Sequence, residues 1–320
     1  MDDSQNNTVV GRFAPSPSGR MHLGNVYASL IAWLSVRSQG GRMVLRIEDL
    51  DPRTQSGPWA DQLVEDLLWL GLDWDEGPLY QRERAGLYER ALGRLEAAGL
   101  VYPCFCTRAE LHAASAPHAS DGTPVYAGTC RGLSALQVAE RSKLRPPALR
   151  LRVPQAGDAA GDLRFEDRVY GLQASVLARD CGDFLVRRSD GVFAYQLAVV
   201  VDDAAMGVTE VVRGSDLLGS VARQMYLQGL LGCGHPAYAH VPLLVAPDGR
   251  RLSKRDRDLD MAGLRDRFGT PERLLGYVAW LGGLADGPAP VSADELAGSF
   301  LWDAVRAHRQ DIVVDGLPAA

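Results

Sequence analysis

The sequence predicts an α/β protein, a parallel sheet with helices packed over it. Three observations carry that prediction. Short apolar runs alternate with stretches whose apolar residues recur at spacings of three and four, in the order strand, helix, strand, helix. A Pro/Ser/Gly-rich loop, Ala14 to Gly19, sits at the first strand-to-helix turn. Of 320 residues, 46% are hydrophobic and 23% charged, enough apolar material for two buried cores, or two plus an insert.

Val9-Val10 opens the first strand, and Leu23–Val36 reads as an apolar-periodic helix. Arg42–Ile47 alternates as a strand and stops at Glu48-Asp49. Helices are predicted over Trp59–Leu70 and Arg82–Ala98. From Pro103 to about Leu133, small residues, Pro, Gly and clustered Cys mark an inserted module. Strands are predicted at Ala148–Val153, Phe184–Arg187, Phe193–Val201 and Val208–Val212. A helix over Leu217–Leu231 and an extended stretch at Ala239–Val245 follow. The last elements read as helices around Met261–Phe268, Pro271–Leu281 and Ala293–Ala307.

This composition excludes a disordered chain, which lacks the apolar content to collapse. The longest apolar runs, Tyr27–Val36 and Val192–Val201, fall short of the roughly 18 to 20 residues that span a bilayer. The acidic, polar start MDDSQNN does not read as a signal peptide. Five cysteines imply no disulfide framework, and Cys181 and Cys233 stand alone as buried fillers. A soluble, cytoplasmic chain is expected, and nothing demands more than a monomer. The net charge of −6 argues against gripping nucleic acid by overall charge. Two local basic patches stand out: Arg141, Lys143, Arg145, Arg150 and Arg152, and Arg250, Arg251, Lys254, Arg255 and Arg257.

Two segments carry chemistry. Pro15-Ser16-Pro17-Ser18-Gly19-Arg20-Met21-His22-Leu23-Gly24-Asn25 spans a strand-to-helix turn. A helix N-terminus offers free N–H groups and partial positive charge to an anion. His22 adds a donor on the first turn, and Gly24 has no side chain to keep a flat base off the backbone. Far downstream, Arg251-Leu252-Ser253-Lys254-Arg255 supplies a flexible lysine for growing charge on a phosphoryl group. Either segment alone is weak, since capping histidines and basic surface loops are common.

Together they resemble the HIGH-type and KMSKS-type signatures of class I aminoacyl-tRNA synthetases. The segments Gly11-Arg12-Phe13-Ala14-Pro15-Ser16, Leu45-Arg46-Ile47-Glu48-Asp49, Leu70-Gly71-Leu72-Asp73-Trp74-Asp75-Glu76, Tyr195-Gln196-Leu197-Ala198-Val199-Val200-Val201-Asp202-Asp203 and Val212-Arg213-Gly214-Ser215-Asp216 narrow the resemblance to the glutamyl branch. It runs from about residue 9 to about 281. It implies a Rossmann-like class I aminoacyl-tRNA synthetase catalytic domain with a zinc-knuckle insert and a small C-terminal helical subdomain. The implied division is 9–102 for the first half of the catalytic domain and 103–183 for an inserted module with the zinc knuckle and acceptor-binding region. Residues 184–246 form the second half, and 247–320 the lysine loop and helical subdomain. Fewer residues follow Lys254 than the large anticodon-binding domain of ordinary glutamyl-tRNA synthetases needs. A catalytic half with a Cys-x-Cys insert is similar to the glutamyl-Q tRNA(Asp) synthetases. Those enzymes activate glutamate without tRNA and transfer it to the queuosine base in the anticodon of tRNA(Asp).

The resemblance implies ATP with Mg²⁺, seated by His22, Gly24 and Asn25, with His22 and Lys254 as catalytic residues and Lys254 stabilising the leaving pyrophosphate. It places L-glutamate on Arg12, Phe13, Ala14, Pro15, Ser16, Glu48, Tyr195 and Arg213. The residue types agree, since guanidinium binds carboxylate, a carboxylate suits ammonium and a phenol donates. Arg251 and Arg255 replace the consensus Lys and Ser of the lysine loop. Cys104-Phe105-Cys106, Tyr126 and Cys130 resemble the family's zinc knuckle, Cys-x-Cys…Tyr-x-x-x-Cys, which implies one structural Zn²⁺ on three thiolates and a phenolate. The spacer of nineteen residues between Cys106 and Tyr126 is longer than that pattern. It contains His112 and His118, each a better zinc ligand by type, so the fourth ligand stays open. Two other readings stand beside the leading one: a minimal glutamyl-tRNA synthetase charging a tRNA 3′ end, and a non-catalytic synthetase-like binding protein.

Overall fold

Buried Val10–Phe13 forms β1 and the apolar stretch Leu23–Arg37 forms α1 in the structure, a computed structural model describing residues 8–55, 57–113, 125–250, 252 and 259–317. β2 (Arg42–Ile47), α2 (Trp59–Trp69) and β3 (Glu76–Tyr80) follow, and the three strands run parallel in the order β1-β2-β3. α3 (Ala85–Ala97) leads to β4 (Val101–Cys104). Then come α4 (Arg108–Ala113), α5 (Ala135–Ser142), β5 (Ala148–Leu151), β6 (Asp162–Asp167), β7 (Gly171–Val176), α6 (Leu177–Asp180) and β8 (Phe184–Arg187). α7 (Tyr195–Ala205), β9 (Glu210–Gly214), a 3₁₀ turn at Ser215–Ser220, α8 (Val221–Leu231), β10 (Ala237–Val241) and β11 (Leu244–Val245) complete the second half. The last described elements are α9 (Met261–Phe268), α10 (Pro271–Leu281), α11 (Ala293–Ser299), α12 (Trp302–Ala307) and β12 (Ile312–Val313). Their buried Met261, Leu264, Leu274, Leu275, Val278 and Leu296 share one core with Leu23, Val26, Tyr27 and Leu30 of α1.

The strand β8, assigned by the sequence division to the second half, pairs with β5 in an antiparallel sheet of order β4-β5-β8. β6, assigned to the insert, pairs antiparallel with β7 and parallel with β10, giving the order β7-β6-β10-β9. The two parallel systems meet where Thr209 N–H donates to Val10 O and Val10 N–H donates to Thr209 Oγ1, both at 2.9 Å. Past that point no backbone ladder joins β1 to β9 among the described residues. The Arg12 side chain bridges them instead, donating Nη1–H to Val212 O at 3.0 Å. Strand order thus reverses at β1, with β2 on one side and β9 on the other. Open α/β sheets receive ligands at such a reversal, outside the carboxyl ends of the strands.

Phe193–Val201 is a correction: the predicted strand is a helix from Tyr195 onward. Leu197, Ala198, Val199 and Val200 are all buried, so the run shows no amphipathic period, and periodicity cannot separate a buried helix from a buried strand. The helix runs on through Asp202 and Asp203 to Ala205, 11 residues in all, which brings its end onto buried arginine. The helix predicted over Ala293–Ala307 is two helices, broken at the extended residues Phe300 and Leu301.

That arginine is Arg46 on β2, 0% exposed. Its Nη1 lies 2.6 Å from Asp203 Oδ1, its Nη2 3.0 Å from Glu48 Oε1 and its Nε 3.8 Å from Asp202 Oδ2. Asp202 also accepts hydrogen bonds from Gln81, Arg84 and Tyr88 at 2.7–2.8 Å. Burial opposes the Arg46 charge, but Asp203, Glu48 and Asp202 more than offset it and hold its pKa above the ordinary arginine value. Arg46→Ala should destabilise the chain by about 3–5 kcal/mol, because it strands buried carboxylates without their partner. A urea unfolding midpoint matching wild type would remove Arg46 from this role.

Candidate active site

A cavity of about 530 Å³ opens where β1 and β9 part. Arg12 and Phe13 on β1, the loop residues Ala14, Pro15 and Ser16, and His22, Gly24 and Asn25 at the start of α1 line it. So do Glu48 just past β2, Tyr195 at the start of α7 and Arg213 on β9. The glutamate- and nucleotide-binding residues expected from the sequence therefore border one space wherever they fall among the described residues. Lys254, Arg251, Arg255 and Arg257 lie outside the described residues. Leu243 and Leu244, which lead toward that loop, do line the cavity.

Local structure sets each side chain. Asn25 Oδ1 accepts the His22 backbone N–H at 3.1 Å and closes the first turn of α1. Met261 N–H donates to Met21 O at 2.9 Å and ties the loop to α9. Gly24 leaves space that the His22 ring occupies, since a Cβ there would stand 3.1 Å from the ring's Cε1. The absent side chain thus places the imidazole, in addition to the open approach expected for a base. Glu48 N–H donates to Pro15 O at 2.9 Å and joins the β2 exit to the same loop.

The electrostatics are those of a site short of water. Arg12 is 6% exposed; burial lowers its pKa, opposed by Asp203 at 3.9 Å, and its Nε has no hydrogen-bond partner among the described residues. Burial raises the Glu48 pKa against the pull of Arg46 and Arg12. Burial likewise raises the Tyr195 phenol, so it stays protonated and able to donate. Arg213, also 6% exposed, donates Nη1–H to Tyr195 Oη at 3.2 Å and Nη2–H to Gln224 Oε1 at 3.0 Å and Leu217 O at 3.3 Å. Its Nε–H donates to His240 Nε2 at 3.0 Å. His240 Nδ1 in turn lies 2.6 Å from Asp167 Oδ2. Burial, before any other cause, holds the His240 pKa down at about 4, so the ring is neutral at neutral pH. Two buried guanidiniums, a carboxylate and a phenol O–H suit a ligand with two carboxylates and an ammonium. The α1 N-terminus beside them suits a phosphate.

A family model described as "tRNA synthetases class I (E and Q), catalytic domain" matches residues 8–310. The chain belongs to that family. It is 48% identical to a glutamyl-Q tRNA(Asp) synthetase of Symbiobacterium thermophilum over 95% of each chain, and 46% identical to one of Nitratidesulfovibrio vulgaris over 91% of each. It is also 42% identical to "Glutamate--tRNA ligase 2" of Alkalilimnicola ehrlichii, over 95% of this chain and 69% of that one. A glutamate tRNA ligase from Elizabethkingia meningosepticum, solved in complex with its amino acid, superposes with a TM-score of 0.79 at 27% identity, covering 96% of this chain and 67% of that one. The fold is therefore the Rossmann-like catalytic domain of a class I synthetase.

The insert of this synthetase chain gathers the Cys104, Cys106 and Cys130 sulfurs within 4.8 Å of one another. Cys106 and Cys130 Sγ are 3.7 Å apart, and the Tyr126 phenol oxygen is 3.5 Å from both Cys104 Sγ and Cys106 Sγ. A tetrahedral zinc with Zn–S of about 2.3 Å and Zn–O of about 2.0 Å has S···S edges of about 3.8 Å and S···O edges of about 3.5 Å. The Cys106–Cys130 edge and the two edges from Tyr126 match that spacing, and all three sulfurs lie within 4.8 Å of one another, so the donor set fits such an ion. The oxygen beside the sulfurs belongs to Tyr126; His118 and the His112 side chain lie outside the described residues. Gly182, at φ +61°, lets Tyr126 approach, because a Cβ there would meet the Tyr126 N and O at 2.9 Å. Burial pushes the Cys106 thiol up to about 11. Burial also works against the Cys104 thiolate, but hydrogen bonds from Tyr126, the Cys106 backbone and Arg150 bring its pKa below the ordinary value. Arg150 lies 3.8 Å over the Tyr126 ring centroid and is 6% exposed, so this member of the first basic patch faces inward. Cys181 is buried in the core around Leu197 and Leu227, and Cys233 packs half-buried against it.

The sequence reading assigns no role to Asp167, His240, Gln224 or Asp203. Their signal was polarity inside apolar surroundings, as in His240 within Ala239–Val245. An unfolded His240 takes a proton near its ordinary value of 6.5, and the folded ring only near about 4. Across that window the unfolded chain binds more protons, so stability falls as pH drops through it. Thermal unfolding from pH 7 to 4 should show His240→Gln losing less stability than wild type over that range. Equal losses would remove His240 as a contributor.

Proposed function

We propose that this chain activates L-glutamate with ATP in the absence of tRNA and transfers it to the queuosine base in the anticodon of tRNA(Asp). The observation that carries this reading is one cavity in which buried Arg12 and Arg213 face Glu48 beside the N-terminus of α1. Relatives named glutamyl-Q tRNA(Asp) synthetase, matched over 91–95% of both chains, support the acceptor.

In this reading Arg12 and Arg213 take the two carboxylates, Glu48 the ammonium, and Tyr195 donates to a carboxylate, while Phe13, Ala14, Pro15 and Ser16 wall the pocket. An α-carboxylate oxygen attacks the α-phosphorus of ATP; the new P–O bond forms as the bond to pyrophosphate breaks, leaving glutamyl-adenylate. Such a step needs positioning and charge neutralisation more than a covalent nucleophile. His22, Gly24 and Asn25 seat the nucleotide, and Lys254 neutralises the departing pyrophosphate. Mg²⁺ accompanies ATP, held largely by phosphate oxygens and water. A queuosine hydroxyl then attacks the activated carbonyl and expels AMP, whose phosphate takes the proton. Cys104, Cys106, Tyr126 and Cys130 would hold a structural Zn²⁺ that closes the insert. The chain acts as a cytoplasmic monomer, with catalytic halves at 9–102 and 184–246, an insert at 103–183 whose β6 pairs back onto β10 and whose β5 pairs with β8, and a lysine loop and helical subdomain at 247–320.

ATP–pyrophosphate exchange should require glutamate and proceed without tRNA, and transfer should occur only to tRNA(Asp) that contains queuosine. Exchange that depends on tRNA(Glu) would assign a minimal charging synthetase, and no exchange at all would assign a binding protein. Lys254→Ala should slow exchange by on the order of 100-fold while leaving glutamate binding near wild type. Cys104→Ser should lose zinc, measured by atomic absorption against wild type; unaltered metal content would overturn the metal site.

A further inference from the structure

The polar groups behind Arg213 have no part in the chemistry just described, yet they are fully satisfied. The Asp167 and His240 side chains are each 0% exposed. Asp167 Oδ1 accepts three backbone N–H groups, from Val169 and Tyr170 at 3.0 Å and from His240 at 3.3 Å. Asp167 Oδ2 meets His240 Nδ1 at 2.6 Å, and His240 Nε2 meets Arg213 Nε at 3.0 Å. An ionised carboxylate only accepts, and a guanidinium only donates. The neutral imidazole between them must therefore carry its proton on Nδ1 and its lone pair on Nε2.

We propose that Asp167 and His240 are positioning residues that fix this tautomer and thereby aim the Arg213 guanidinium at the substrate carboxylate. The inference rests on the glutamate site proposed above. Arg213 has five N–H donors. His240 takes the one on Nε, Gln224 and Leu217 O take the two on Nη2, and Tyr195 takes one on Nη1. The second Nη1–H is left for the ligand. Gln224 is itself held, because its Nε2 donates to Gln196 Oε1 at 3.0 Å and Gln196 Nε2 donates to Ser220 Oγ at 3.0 Å. The guanidinium cannot turn without breaking this set, and such pre-orientation keeps a binding group from having to search for its geometry.

Asp167→Asn separates orientation from mere packing. The three backbone N–H groups at the Oδ1 position demand an oxygen there, so the amide must turn its Nδ2 toward His240. That N–H donates to Nδ1, drives the ring proton to Nε2 and sets it against the Arg213 Nε–H. Glutamate affinity, read by calorimetry and as KM in exchange, should weaken by on the order of tenfold or more, with the KM for ATP near wild type. His240→Gln offers an oxygen near the Nε2 position and should keep most of the affinity; His240→Asn reaches only toward Asp167 and should lose it as Asp167→Asn does. Histidine ¹⁵N spectra should show the His240 Nε2 unprotonated in wild type and protonated in Asp167→Asn. A protonated Nε2 in wild type, or unchanged glutamate affinity in Asp167→Asn, overturns the inference. A wild-type chain that binds no glutamate would instead overturn the site reading, and the tautomer would still decide whether Asp167 governs His240.

Discussion

A guanidinium sealed from water has to be met by carboxylates, and at Arg46 this requirement organises the molecule. Arg46 stands on β2, and the acids that meet it come from two places: Glu48 at the end of its own strand, and Asp202 and Asp203 on α7. The ion pairs therefore join the first half of the chain to the second. Glu48 and Tyr195 border the same cavity because β2 and α7 are held together at this point. The same acids reach further, since Asp203 also lies beside Arg12 and Asp202 collects Gln81, Arg84 and Tyr88.

Arg12 and Arg213 extend this pattern of buried charge. Each is a costly group to remove from water, and each is satisfied in part by neutral partners: Val212 O for Arg12, and His240, Gln224, Tyr195 and Leu217 O for Arg213. Partial neutralisation leaves a cation able to hold an anion. A fold optimised for stability alone would place apolar side chains at the parting of β1 and β9. Local rules broken at the end of a sheet are a mark of function.

Much of this was legible in the sequence. The loop before His22, the alternation of Arg42–Ile47 and the helices from Trp59, Met261 and Pro271 follow from spacing and turn residues. The cavity's lining was reached through the family resemblance that those short motifs carry; taken singly, Glu48 reads as a strand-end salt bridge, Tyr195 as core and Arg213 as a surface ion pair. Phe193–Val201 was not readable as a helix: a segment buried on several sides carries no period, and its helical form shows only in the fold, where its end meets Arg46 and Arg84. Asp167 and His240 were hidden for another reason. They are 73 residues apart, and neither type is informative until β6 and β10 pair and bring the two side chains together.

The sheet β4-β5-β8 carries a consequence of its own. The chain enters the insert along β4 and leaves it along β8, and both strands flank β5. The two strands lie two strand spacings apart, about 10 Å, and run in the same direction, so the chain enters at one end of the small sheet and leaves at the other. Loop length in this module can change while the host's geometry stays put, but β6, which pairs with β10 and carries Asp167, is tied to the host. The long spacer between Cys106 and Tyr126 is an instance: residues added there lengthen an excursion whose anchor points do not move. The β4-β5-β8 sheet is thus a socket for the cysteine-bearing loops, while β6 belongs to the catalytic sheet through its pairing with β10.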